Sequence, residues 1–331
     1  MTMRRAFSDV IDYQPIFKAV RQAVALCKRV QEQFLVTSDK GGHEPVTIAD
    51  YGAQAILSRA ISLAFPDDAI IAEESGAQFI ELVSDKGRTE ITRMLEDTLG
   101  VWVKQSDVVK WLDYGRNRAA ERTWVIDPID GTKGFIALRN YVVAVGVMER
   151  GKPVGGVIGA PAFPTREQEG ALFHAKSGVA YMESLLDGPV KRIRASTRTE
   201  PRSLRALESV EKSHANHERM QRVRELAGYS EASLVHIDSM EKYCRIAAGT
   251  AELYLRLPRL NSTRPFMVWD HCAGTAIVQA AGGRVTDIDG SPLDFSKGIT
   301  LPNKGIIVSN ARIHDKVITA IQQVLKEEGD S

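Results

Sequence analysis

Residues 124–135 read WVIDPIDGTKGF and set two carboxylates, Asp127 and Asp130, at the end of an apolar run. Pro128 between them has no N–H and a fixed φ, so the strand through 124–126 is expected to stop there. Gly131 permits a backbone shape that most residues resist, and Thr132 adds a hydroxyl at what reads as a helix start. Two acids on so short and stiff a turn can face one point in space, as a hard cation requires. The plain alternative is a strand-to-helix turn with Asp as N-cap. A cap uses one acid, however, and this turn gathers two acids and a hydroxyl.

Other acids also end apolar segments: Asp50, the Glu73-Glu74 pair, and Asp270 in VWDHCAG. Loops at strand ends are where a rigid scaffold presents its chemistry. A donor set of carboxylate oxygens favours Mg²⁺ or Mn²⁺ over Zn²⁺. Taken singly, each acid has an ordinary reading. Glu73-Glu74 can be a solvated strand end, and Asp50 and Asp270 can cap the helices that follow them.

These acids need a scaffold, and hydrophobic spacing outlines one. Ile16, Val20, Ala23, Cys27, Val30 and Phe34 recur at three and four residues, marking a long amphipathic helix that Lys40-Gly41-Gly42 breaks. Ala53, Ile56, Ala60 and Leu63 mark a second, ended by Pro66-Asp67-Asp68, and AIIAEESG then reads as a short buried strand running into acids. Residues 85–122 are charged and suggest one or two surface helices. The runs 141–147 and 154–158 are joined by Glu149-Arg150-Gly151-Lys152, a hairpin signal. Composition turns polar and basic near 185–205, which places a boundary between lobes 1–190 and 191–331. Beyond it strands (234–237, 251–257, 306–309) alternate with helices (240–248, 270–281, 311–325), a layered α/β rhythm.

The bulk numbers narrow the partners. The 331 residues are 44% hydrophobic and 26% charged, ordinary for a globular protein. Lys+Arg 43 against Asp+Glu 42 leaves a formal charge of +1, so no global field draws nucleic acid or an acidic membrane. No apolar run is long enough to span a bilayer. The opening MTMRRAFSDV lacks the apolar stretch of a secretory signal, and three cysteines without CxxC spacing point to a reducing compartment. A cytoplasmic home is the expectation, organelle import is left open, and the oligomeric state is not fixed, a monomer being admissible.

With AEES, DPIDGT, and WDHCAG followed by Gly282-Gly283, the chain resembles the lithium-sensitive, magnesium-dependent phosphatase superfamily that includes inositol monophosphatase and fructose-1,6-bisphosphatase. GTKGF, ADYGAQ, IDSMEKYC, YLRLP, VWDHCAG and PLDFSKG make it similar to the 3′(2′),5′-bisphosphate nucleotidase branch. The resemblance implies alternating α/β/α/β/α layers with metals in the cleft between two lobes. It also implies hydrolysis of the 3′-phosphate of 3′-phosphoadenosine 5′-phosphate, and by extension of its 5′-phosphosulfate analogue.

By the same resemblance, Glu73, Asp127 and the Ile129 carbonyl hold one Mg²⁺, while Asp127, Asp130 and Asp270 hold a second, with room for a weaker third near Glu73. Paired cations about 4 Å apart can stabilise attacking and leaving oxygens together. Asp50 and Thr132 orient the attacking water and take its proton, and the amides of Gly131 and Thr132 suit phosphate oxygens. Substrate contacts fall on His214, Ser239, Lys242 and Arg256, beside Asp270. Ser239 and Lys242, three apart, are expected to share a helix face. Lys242 and Arg256 would grip the 5′-phosphate, and His214 the nucleoside. One departure stands out: the branch continues after GTKGF with Leu-Arg-Gly and then Gln-Tyr, where this chain has Ala137 and Asn140 in IALRNY. An inositol monophosphate or inositol 1,4-bisphosphate phosphatase is the competing enzyme. A nucleotide sensor without catalysis is the competing class.

Overall fold

The computed structural model describes residues 11–35, 44–165, 169–186, 188–210, 216–257 and 265–329. Helix α1 (Gln14–Val30) buries Ile16, Val20, Ala23, Cys27 and Val30, the predicted stripe, and widens into a π-helical turn over Gln31–Leu35. It packs along α2 (Glu44–Ala64), which carries Asp50 in its interior rather than at its start. Asp50 therefore caps nothing. Strand β1 (Ala69–Ala72) pairs in parallel with β2 (Arg122–Asp130). Between them run α3 (Gly76–Leu82), α4 (Asp85–Leu99) and α5 (Gln105–Leu112), which cover the charged stretch and bury Ile91, Met94, Leu95, Val108 and Leu112.

Pro128 does not end β2, contrary to the sequence reading. The strand runs on to Asp130, and its pairing with β3 (Val142–Glu149) shifts register between Asp127 and Asp130. A bulge removes the demand for a ladder N–H, which is how a proline fits inside a strand. After α6 (Thr132–Ile136), β3 continues into an antiparallel series: β4 (Lys152–Pro164), β5 (Glu169–Lys176), β6 (Val179–Ser184) and β7 (Lys191–Arg192). Arg150 and Gly151 are both left-handed, as the two-residue hairpin turn needs. Ser177 and Gly178 form the same turn between β5 and β6, strands the spacing analysis passes over.

The second half opens with β8 (Arg205–Glu208), α7 (His217–Leu226), β9 (Ser233–His236), α8 (Glu241–Ala247) and β10 (Leu253–Arg256). It closes with β11 (Phe266–Met267), α9 (Cys272–Ala280), β12 (Arg284–Thr286), β13 (Thr300–Leu301), β14 (Ile306–Ser309) and α10 (His314–Glu327). Its main sheet has the order β12-β14-β10-β8-β9.

Strand alternation stacks the layers. On β3, Val143, Val145 and Val147 face α1 and α2, while Val142 and Ala144 face α8 and α9. On β10, Tyr254 turns toward that same middle helix layer, whereas Leu253 and Leu255 join α7 and α10 on the far side. Arg256, two residues after Tyr254, shares its face. The order is therefore helices, sheet, helices, sheet, helices, with α8 and α9 shared by both sheets. Each large apolar side chain so buried contributes about 1.5–3 kcal/mol against chain entropy. Among the described residues no helix is long and apolar enough to cross a membrane, and Cys27, Cys244 and Cys272 are free thiols in the core.

Two polar groups in these layers matter for stability. Buried Asp68 accepts from Trp124 Nε1 at 2.8 Å and from Arg122 Nε at 2.6 Å, fastening the start of β1 to β2. His174 lies against Phe17 and stacks on Tyr181, its ring centroid 4.4 and 5.2 Å from theirs. Burial first, then Arg21 and Lys176, push its pKa down to about 4. Glu183 stands 3.5 Å from Nε2, but Arg21 already pairs with it at 3.0 Å. The folded imidazole is thus neutral, while the unfolded one takes up a proton near its ordinary value of 6.5. Its contribution to stability is complete above that value and is lost as pH falls toward 4. Between pH 7 and 5 the loss is about 2 kcal/mol. Urea unfolding at the two pH values should show His174→Phe losing about 2 kcal/mol less than the wild type. Equal losses would contradict this placement of the charge.

Candidate active site

The bulge in β2 and the left-handed Gly131 (φ 93°) that follows it aim the end of the strand into an open cavity of about 270 Å³. A Cβ on Gly131 would stand 2.9 Å from the Ser239 Cβ, so only glycine fits both the conformation and the space. Asp127, Ile129, Asp130 and Thr132 line the cavity, and so do Glu73, just past β1, and Asp270, just before α9. The residue capping α9 is His271, so Asp270 is not an N-cap. Acids from three distant stretches of chain meet at one place.

Their closeness shows in their mutual electrostatics. Asp127 is 2% exposed, and its Oδ1 has no hydrogen-bond partner. Burial, then the charges of Asp130, Glu73, Asp270 and Asp50, push its carboxyl far above the usual range. Asp130 is pushed up to about 7, chiefly by burial and then by Asp270, against Lys242, the Met240 amide and Arg256. Asp50 is raised by burial and then by Glu73 and Glu74. Glu74 is turned elsewhere: its carboxyl, raised mainly by burial, hydrogen-bonds Tyr51 and feels Arg116. Among the described residues no three His, Cys, Asp or Glu side chains close a finished shell around one point. The wall of the cavity nevertheless offers what a hard cation lacks in bulk protein: crowded carboxylates, one with a buried oxygen that nothing satisfies. The residues fit Mg²⁺.

Thr132 Oγ1 donates to the Ile129 carbonyl at 3.3 Å, so a relay to Asp50 requires the hydroxyl to exchange that acceptor. Helix α6 spans only Thr132–Ile136. One turn carries little macrodipole, so its amides, rather than a helix field, are what this end can offer a phosphate.

The same cavity is also lined by cations, close to the acids. Lys242 is buried, donates to the Ile237 carbonyl at 2.9 Å, and lies 5.2 Å from the centre of the Tyr254 ring. Burial pushes its pKa down to about 8, with Asp130 opposing. Arg256 lies over Phe266 at 5.0 Å, with Nη1 3.9 Å from Asp270. Ser239 also lines the cavity, but α8 begins at Glu241 and Ser239 precedes it in a left-handed conformation (φ 67°). The shared helix face expected of Ser239 and Lys242 is therefore wrong. A turn, not a helix, brings them together. His214 lies outside the described residues.

Sequence spacing does not single out other cavity residues: Asp238, Tyr243, Tyr254 and His271. Two carried a usable signal. Tyr254 precedes Arg256 by the strand period of two, and His271 adjoins Asp270. His271 Nδ1 pairs with the Tyr243 hydroxyl at 2.8 Å, and burial holds the imidazole neutral.

Comparison with known proteins extends this picture. The sequence model of the inositol monophosphatase family matches residues 12–326. The chain is 36% identical to the 3′(2′),5′-bisphosphate nucleotidase 2 of Candida albicans, over 93% of this chain and 95% of that protein. It is 32% identical to the 3′(2′),5′-bisphosphate nucleotidase of Oryza sativa, over 95% and 94% of the two chains. Among solved structures, a Thermotoga maritima IMPase superposes with a TM-score of 0.62 at 23% identity, covering 94% of this chain and 97% of its own, a likeness of fold.

Proposed function

The chain belongs to the inositol monophosphatase family, and on that premise we propose that it removes the 3′-phosphate of 3′-phosphoadenosine 5′-phosphate with the aid of Mg²⁺. One observation carries the choice of substrate: one cavity lined both by the acids and by Lys242 and Arg256. A substrate with a single phosphate needs only the acids and the ions they would hold. A bisphosphorylated nucleotide uses Lys242 and Arg256 as well, its second phosphate meeting these two side chains.

Glu73, Asp127, the Ile129 carbonyl, Asp130 and Asp270 would hold two Mg²⁺ ions. When bound, the ions supply charge against the phosphate dianion and lower the pKa of water at the site. The protein's own groups do the rest. Asp50, buried beside Glu73 and Glu74, would serve as the general base. Thr132 would pass it a proton, and the amides of Gly131 and Thr132 would orient the phosphate. Ser239 would join Lys242 and Arg256 in holding the nucleotide, with His214 on the nucleoside side. Residues 1–190 thus supply most of the acids, and 191–331 the cations and Asp270. Three buried thiols suit a reducing compartment such as the cytoplasm.

A substrate panel tests the reading. Mg²⁺-dependent phosphate release should be at least about tenfold faster in kcat/KM for 3′-phosphoadenosine 5′-phosphate than for inositol monophosphate or inositol 1,4-bisphosphate. Lithium should inhibit it. Equal or faster inositol turnover would overturn the choice, and tight nucleotide binding without phosphate release would make the protein a sensor.

A further inference from the structure

The segment 238–242 carries Ser239 and Lys242, yet its backbone is costly to hold. Ser239 is left-handed without being glycine, a state disfavoured by about 1–2 kcal/mol. One bond ties this segment directly to the acid turn: the Met240 N–H donates to Asp130 Oδ2. A cation on Asp130 competes for that same carboxylate, so the bond alone is a poor anchor.

Two further ties come from the loop after α6. Asn140 Nδ2 donates to Glu241 Oε2 at 2.6 Å, while Arg245 holds Oε1 of the same carboxylate through Nε at 2.9 Å and Nη2 at 2.8 Å. Glu241 is fully buried, so its carboxylate depends on these donors. One residue earlier, Arg139 Nη2 donates to Asp238 Oδ2 at 3.2 Å. Arg139 is 43% exposed against 8% for Asp238, which makes this the weaker tie. The loop itself is pressed onto α6, because a Cβ on Gly134 would stand 2.1 Å from the Asn140 carbonyl oxygen.

We infer that Asn140 and Arg139 are positioning residues that pin the segment 238–242 through Glu241 and Asp238, and so set where Ser239 and Lys242 meet the second phosphate of the substrate. Neither touches the reacting phosphate. Asn140 matters more, since its bond to Glu241 is the shorter and Arg139 is itself exposed. The inference rests on the nucleotidase reading of the cavity.

Asn140→Ala, Asn140→Gln and Arg139→Ala test it. Asn140→Ala should raise KM for 3′-phosphoadenosine 5′-phosphate about tenfold, with kcat changed less than about twofold. Its affinity for adenosine 5′-monophosphate, measured by calorimetry without metal, should weaken about tenfold as well. Asn140→Gln keeps the amide and should recover most of both losses; Arg139→Ala should show a loss of about threefold. Wild-type protein without activity on the bisphosphate would sink the nucleotidase reading and this inference with it. Active wild type with Asn140→Ala and Arg139→Ala both unchanged in KM and nucleotide affinity would sink the inference alone. So would an Asn140→Gln protein that folds but is no better than Asn140→Ala.

Discussion

Asp127→Asn should lower turnover by at least about 10³-fold while raising the melting temperature of the metal-free protein. Both effects have one cause. Asp127 is the buried centre of the acid cluster, repelled by Asp130, Glu73, Asp270 and Asp50, and its Oδ1 has no partner. Without cations an ionised carboxylate there opposes folding, and an amide of the same shape removes the charge. With cations present, the same charge would bind them. Excess Mg²⁺ should therefore raise the melting temperature of the wild type, by mass action on the folded state, and do so far less for the variant. Differential scanning calorimetry with and without Mg²⁺, alongside steady-state rates, reads all of this. A variant that is less stable without metal, or that keeps near-normal turnover, would show that Asp127 is structural.

Lys242→Ala and Arg256→Ala carry the second large effect. Removing one partner of a buried, hydrogen-bonded charge pair costs about 2–5 kcal/mol, roughly 30-fold or more in affinity. Each variant should lose about 100-fold in kcat/KM on 3′-phosphoadenosine 5′-phosphate but less than about fivefold on a phosphate monoester without a second anion. Lys242 also acts on Asp130, so its removal is felt by the acids. Arg256 likewise lies 3.9 Å from Asp270, so its removal is felt there as well. A uniform loss on both substrates would assign the cations to structure rather than to the second phosphate.

Much of the cavity's lining is legible in the sequence. The turn after Ile126, Glu73 past a short strand and Asp270 before a helix are local patterns, and local patterns survive folding. What failed depended on partners. Pro128 looked like a stop because the bulge that excuses it is a property of the β2–β3 pair, not of either strand. Ser239 and Lys242 looked like one helix face because nothing in the sequence announces a left-handed serine. Asp50 as a cap was a fair alternative until α2 proved to begin earlier, at Glu44. Glu241 reads as an ordinary acid in a first helical turn, and only the fold reveals that it is buried between Asn140 and Arg245. The departure at Asn140, flagged from sequence alone, gains its meaning from that contact.

The central claim is that acids separated by most of the chain gather divalent ions in one cavity. Anomalous scattering from crystals loaded with Mn²⁺ tests it most directly. The account predicts two peaks within coordinating distance of Asp127, with Glu73 on one side and Asp130 and Asp270 on the other. An empty cavity in crystals of protein that hydrolyses its substrate with Mn²⁺, or peaks bound only elsewhere on the surface, would contradict it.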